Sequence, residues 1–176
     1  MFGRIKMAVF KDPEGYDRID WDLLQNGSIT LFWRPQYLDE TIDWLKQNRY
    51  KITEFDCSTW NDEKAMHIDI SDTLNFPSYY GQNLDALNDC ISEIDIPDKA
   101  GHALVMKNFD VFSKAFYKIS WILLDILETN SRLHLLHGKL FLTLLHSNDP
   151  EIQFDPVGAC SVNWNRKEWL NKNRGI

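Results

Sequence analysis

Apolar positions along this chain change period several times, and each change marks an element. Ile29-Thr30-Leu31-Phe32-Trp33 is rich in β-branched and aromatic residues and predicts a strand. Pro35 suits the first turn of a helix, and Leu38, Ile42 and Leu45 follow at i, i+4 and i+7 as its buried stripe. Residues 50–57 predict a second strand. Thr59 or Asn61 then offers a cap for a helix running to about Leu74, with Pro77 ending it and Gly81 permitting a turn. Asn83 caps a third helix. Residues 102–107 are strand-like and strongly apolar. Ser113 caps a long helix with Phe116, Ile119, Leu123, Ile126 and Leu127 on one face, and Gly138 breaks the chain after it. The run 140–145 is apolar but for Thr143, as expected of a strand covered on both faces. Residues 160–164 predict a last strand and 166–171 a short closing helix. The first 28 residues are least readable, with turn signals at Lys11-Asp12-Pro13-Glu14-Gly15 and Asn26-Gly27. Strands separated by helices predict right-handed crossovers, so the expected class is α/β, a small, mostly parallel sheet packed by helices.

The third helix carries an unusual polar face. At 100° per residue Leu84, Leu87, Ile91 and Ile94 fall within about an 80° arc, which is its buried side. Asp85 and Asp89 lie roughly opposite that arc, with Ser92 beside them and Asn88 between them and the apolar edge. Like charges four residues apart repel. The helix macrodipole favours an acid at Asp85, in the first turn, but explains Asp89, nearly two turns in, poorly. Tyr79 and Tyr80 precede the helix on a loop bounded by Pro77 and Gly81. Tyr80 is open to two readings, a core aromatic with its hydroxyl satisfied or a contact to a partner.

Charge sharpens this. The chain of 176 residues has a net charge of −7, yet residues 52–98 hold eleven acids against the single base Lys64, and the rest of the chain is net basic. A regional negative field repels nucleic acid and attracts cationic protein surfaces. The chain is the size of one domain. No apolar run reaches the roughly 18–20 residues of a membrane span, and Met1-Phe2-Gly3-Arg4-Ile5-Lys6 lacks a signal peptide's apolar core, so a cytoplasmic location is expected. Cys57, Cys90 and Cys160 are odd in number and widely spread, which favours reduced thiols.

Catalytic alternatives fare worse. Two carboxylates can act as acid and base in glycoside hydrolysis, but one needs a pKa raised by burial, and two acids on an open helix face both ionise normally. His134 and His137 share a helix face but lack a third metal ligand at a recognisable spacing. No P-loop, G-x-S-x-G, H-E-x-x-H or dinucleotide fingerprint occurs. No cofactor, metal or enzyme activity is therefore expected, and no small-molecule substrate. Arg166, Lys167, Lys172 and Arg174 make the tail basic, which reads as a solvated end.

The run Pro77-x-Tyr79-Tyr80-Gly81-Gln82-Asn83-Leu84-Asp85-Ala86-Leu87-x-Asp89-Cys90 resembles the signature of the barstar family, bacterial intracellular inhibitors of a secreted ribonuclease. The likeness extends more loosely from Tyr50 to Ser147. It implies a barstar-like domain at 50–147, with the strand–helix unit at 29–49 adding to the sheet and an extension at 148–176 packed on the same domain; 1–28 stays a poorly readable segment ahead of these. It also implies a mechanism, in which the helix and its loop plug a ribonuclease active site and carboxylates stand in for substrate phosphates. On this chain Asp89 would enter among the catalytic arginines and histidine, and Asp85 would meet cations at the rim. Tyr79 would lie against the active-site histidine, while Gly81 and Asn83 shape the contacting loop. Tyr80, Asn88 and Ser92 complete the expected partner-binding set. Asn88 departs from the best-known member, which has an interface tryptophan there, and this points to a different ribonuclease or to the nuclease domain of a larger toxin. The chain would then be an immunity protein or antitoxin. The alternative is a barstar-like adaptor for a basic partner that is not a nuclease.

Overall fold

Four of the apolar runs line up as parallel strands, because each of the first three is followed by helical sequence that must cross back over the sheet before the next strand begins. The computed structural model describes residues 18–97 and 100–176. Its strands are β1 (Ile29–Phe32), β2 (Lys51–Asp56), β3 (Gly101–Lys107), β4 (Leu140–His146) and β5 (Asn163–Trp164). Every pairing is parallel, and the order across the sheet is β2-β3-β4-β1-β5. The helices are α1 (Ile19–Leu24), α2 (Pro35–Gln47), α3 (Glu63–Leu74), α4 (Leu84–Ser92), α5 (Phe109–Ala115) and α6 (Tyr117–Leu136). The expected α/β class is the observed one. The turn signals at 11–15 lie outside the described residues.

Strand periodicity of two divides the core. Leu31, Phe55, Leu104, Met106, Phe141 and Leu145 face the layer of α3, α4, α5 and α6, where they meet Met66, Leu87, Ile91, Phe112 and Leu124. Phe32, Ala103, Val105, Leu142 and Leu144 face the other way, against Leu23 of α1 and Leu38, Ile42 and Leu45 of α2. β4 is buried along its whole length, as its apolar run predicts. The strand–helix unit ahead of Tyr50 thus supplies both β1, between β4 and β5, and most of the cover for the second face.

Several boundaries differ from expectation, each for a local reason. The cap of α3 is Asp62, whose carboxylate accepts from the Ala65 amide at 2.7 Å; Thr59 closes a 3-10 turn and Asn61 is not the cap. That helix ends at Asn75, in the left-handed region with φ 56°, before Pro77 is reached. The long helix is two. Ser113 lies within α5 with its hydroxyl turned back to the Asp110 carbonyl, and the break falls at Phe116 (φ −134°, ψ 56°). Cys160 bonds with Val157 in a tight antiparallel bridge, which shortens β5 to two residues. The closing turn is the 3-10 segment Asn171–Arg174.

The basic tail is only partly solvated. Arg174 is 6% exposed; its guanidinium donates to the carbonyls of Pro150 at 2.8 Å and Trp169 at 3.0 Å and lies 4.5 Å from the Trp164 ring. Glu168, fully buried, accepts from the amides of Trp33 and Arg34, both at 2.9 Å. It thereby caps α2, whose own N-cap residue makes no side-chain cap. Among the described residues no helix is long and apolar enough to cross a membrane.

Candidate functional site

The loop between α3 and α4 is built to a definite shape. Phe76 donates its amide to Ser71, and the Tyr80 amide donates to the Pro77 carbonyl at 2.9 Å, closing a turn over Pro77 to Tyr80. The left-handed residue is Gln82 (φ 47°), not Gly81. Glycine at 81 leaves room instead for the Asn83 amide, since a Cβ there would stand 2.9 Å from Asn83 Nδ2, which donates to the Gly81 carbonyl and would have to shift. Asn83 caps α4 as expected, its Oδ1 accepting from the Ala86 amide at 2.9 Å.

The two tyrosines diverge. Tyr79 is 83% exposed. Tyr80 turns inward, its ring edge-on to Phe76 and its hydroxyl 2.6 Å from His67 Nδ1. Burial pushes the Tyr80 phenol up to about 12, helped by the neighbouring Cys90 thiol, so it stays protonated. Burial also holds His67 below the usual imidazole range, opposed by Glu63, whose carboxylate lies 3.5 Å from Nε2. A proton on Nε2 facing Glu63 leaves Nδ1 to accept from the Tyr80 hydroxyl.

On α4 the apolar side is seated as its spacing predicts, with Leu87 and Ile91 fully buried. Asp85 and Asp89 are exposed, and among the described residues neither carboxylate has an ion-pair or hydrogen-bond partner. Ser92 is satisfied within its own helix, its hydroxyl donating to the Asp89 carbonyl at 2.6 Å. Asn88 is exposed but tethered, its Oδ1 accepting from Asn130 Nδ2 at 2.9 Å. Asn130 is one neighbour of this face that sequence periodicity cannot reveal, being 42 residues away on α6. His134 is another; its Nε2 meets the Ile91 carbonyl at 3.0 Å and ties α6 to the end of α4.

The arrangement offers anionic acceptors on the open side of α4. His134 is buried while His137 is exposed, and among the described residues no group of three His, Cys, Asp or Glu side chains could hold a metal. All three cysteines are free. Burial, with Glu93 and Asp89 nearby, raises the Cys90 thiol and disfavours a reactive thiolate. A cleft of about 860 Å³ lies elsewhere, between α1, α2 and β5. Its cations are already occupied, Arg166 by Asp22 at 2.9 Å and Lys167 by Glu40.

A family model described as "Barstar (barnase inhibitor)" matches residues 50–145, which include the whole loop and α4. A Bacillus subtilis (strain 168) protein named "Putative ribonuclease inhibitor YrdF" is 48% identical over 54 residues, covering 30% of this chain and 54% of that protein. The chain thus spans about half the length of this relative.

Proposed function

The chain belongs to the barstar family, and from that premise we propose that it inhibits a ribonuclease, or the nuclease domain of a larger toxin, by binding it one to one and plugging its cationic active site. The observation that carries this reading is the pair Asp85 and Asp89, two carboxylates without a partner among the described residues, on the open side of a capped, well-seated helix. An ionised carboxylate offers the acceptor geometry of a phosphate and takes short, charge-assisted bonds from arginine, often two at a time. Asp89 takes the deepest position, among the enzyme's arginines and histidine. Asp85 meets cations at the rim. The exposed Tyr79 ring lies against the enzyme's histidine, and Gly81 and Asn83 shape the loop that presents it. Tyr80 holds that loop from beneath, and Asn88 and Ser92 border the acids.

The helix that carries both acids is formed before the encounter, so little backbone freedom is lost on binding. The excess of acids over bases in residues 52–98, eleven against one, favours encounter with a cationic enzyme. No covalent bond is made or broken and no cofactor takes part. The name of the Bacillus relative supports the same role.

The test is a titration of the purified chain into a secreted barnase-type ribonuclease at low and high salt, with Asp89→Ala in parallel. The expected result is loss of activity at a one-to-one ratio, weaker at high salt. Asp89→Ala should weaken inhibition at least tenfold, since bonds to a charged group contribute about 1.5–3 kcal/mol. Equal inhibition by the variant sinks the mechanism. Absence of inhibition, with a basic protein that is not a nuclease captured instead, would favour the adaptor reading.

A further inference from the structure

Asn88 sits on the exposed side of α4 beside the two aspartates, and its amide is not free to turn over. Asn130, 1% exposed on α6, uses its Nδ2 twice, donating to the Ile126 carbonyl of its own helix and to Asn88 Oδ1, each at 2.9 Å. A backbone carbonyl can only accept, so the Ile126 contact settles which end of the Asn130 amide is nitrogen. That nitrogen in turn settles which end of the Asn88 amide is oxygen. The arrangement leaves Asn130 Oδ1 buried without a partner, an unfavourable state that an apolar side chain would relieve. With its oxygen held toward Asn130, Asn88 points the Nδ2 proton trans to that oxygen away from Asn130.

We propose that Asn88 is a specificity-determining residue, a pre-oriented hydrogen-bond donor set among acceptors. It selects a ribonuclease that presents an acceptor, a carboxylate or backbone carbonyl, beside the cations that meet Asp85 and Asp89. The inference rests on the ribonuclease-inhibitor reading and adds the kind of partner surface to it. An enzyme offering only cations at this point sets donor against donor, and one offering an apolar pocket strands the amide; both lose affinity through an unpaired polar group.

Asn88→Asp separates this from a charge effect. The exposed aspartate keeps the size of the side chain and still accepts from Asn130, but it replaces the outward donor with an acceptor and adds a negative charge. If position 88 senses charge alone, an added acid facing a cationic enzyme tightens inhibition. The donor role requires the reverse, inhibition of a secreted barnase-type ribonuclease weakened roughly tenfold, mainly through faster dissociation. Asn130→Leu, which releases the Asn88 amide and removes the orphaned oxygen, should weaken inhibition roughly threefold without lowering the melting temperature. Asp89→Ala is measured alongside. If it weakens inhibition while Asn88→Asp leaves inhibition unchanged or tighter, the donor role is overturned and the inhibitor reading stands. If Asp89→Ala has no effect, or the unaltered chain does not inhibit, the inhibitor reading fails and this inference falls with it.

Discussion

Tyr79 and Tyr80 are chemically identical neighbours with opposite surroundings. The turn from Pro77 to Tyr80 sends the first ring into solvent and the second onto Phe76 and His67. The line from Glu63 through His67 to the Tyr80 hydroxyl makes the loop an extension of α3 rather than a free tether. Removing only that hydroxyl, in Tyr80→Phe, leaves a buried ring nitrogen unpaired and should destabilise the fold by about 1–3 kcal/mol. Tyr79→Phe, on an exposed ring, should stay within about 0.5 kcal/mol of the parent. Chemical denaturation of the two variants decides the matter; equal stabilities would mean the His67–Tyr80 bond holds nothing in place.

At the scale of the element, α4 has nine residues, too few for a helix to persist alone in water. Three constraints hold it. Asn83 satisfies an amide at its start, Leu87 and Ile91 bury its apolar side, and His134 takes up a carbonyl near its end. The cap has a second duty, since the same amide group bonds Gly81 and so joins loop to helix. Asn83→Ala should therefore lower stability by about 1 kcal/mol and also weaken ribonuclease binding, because both bonds go at once. A thermal melt paired with an inhibition titration checks it. Lower stability with unaltered inhibition would show that the loop keeps its shape without the cap.

For the whole molecule, the buried histidines set a pH limit. His102, fully buried on β3, bonds Thr53 of β2 at 2.9 Å, and burial with the nearby Lys51 charge depresses it to about 4. An imidazole held below its unfolded value near 6.5 stabilises the fold fully above that pH, and the contribution fades as pH falls toward 4. The loss across this window is about 3 kcal/mol from His102 alone. Burial pushes His67 and His146 the same way. Asp56 and Asp149, held below the usual carboxylate range by hydrogen bonds, lose their contribution only at more acid pH. Urea midpoints should drop between pH 6.5 and 4, and His102→Gln should flatten the drop. A parallel pH profile in that variant would assign the loss to other groups.

Much of this protein was legible locally. Short apolar runs rich in β-branched and aromatic residues placed the strands, 3.6-residue spacing separated the buried side of α4 from its acids, and Asn83 announced the start of that helix. All three depend on residues within about one helical turn, where steric and hydrogen-bonding preferences act regardless of the rest of the chain. Contacts between distant segments carry no such imprint. Only the tertiary structure set β1 between β4 and β5, turned Tyr80 inward, and brought Glu168 across 134 residues to cap α2. It also drew Arg174 out of solvent, and it oriented Asn88 through Asn130. The acids of α4 were written in the sequence because a helix needs only its own spacing to present them; the direction of the amide beside them was not, because it is decided by a buried group on another helix.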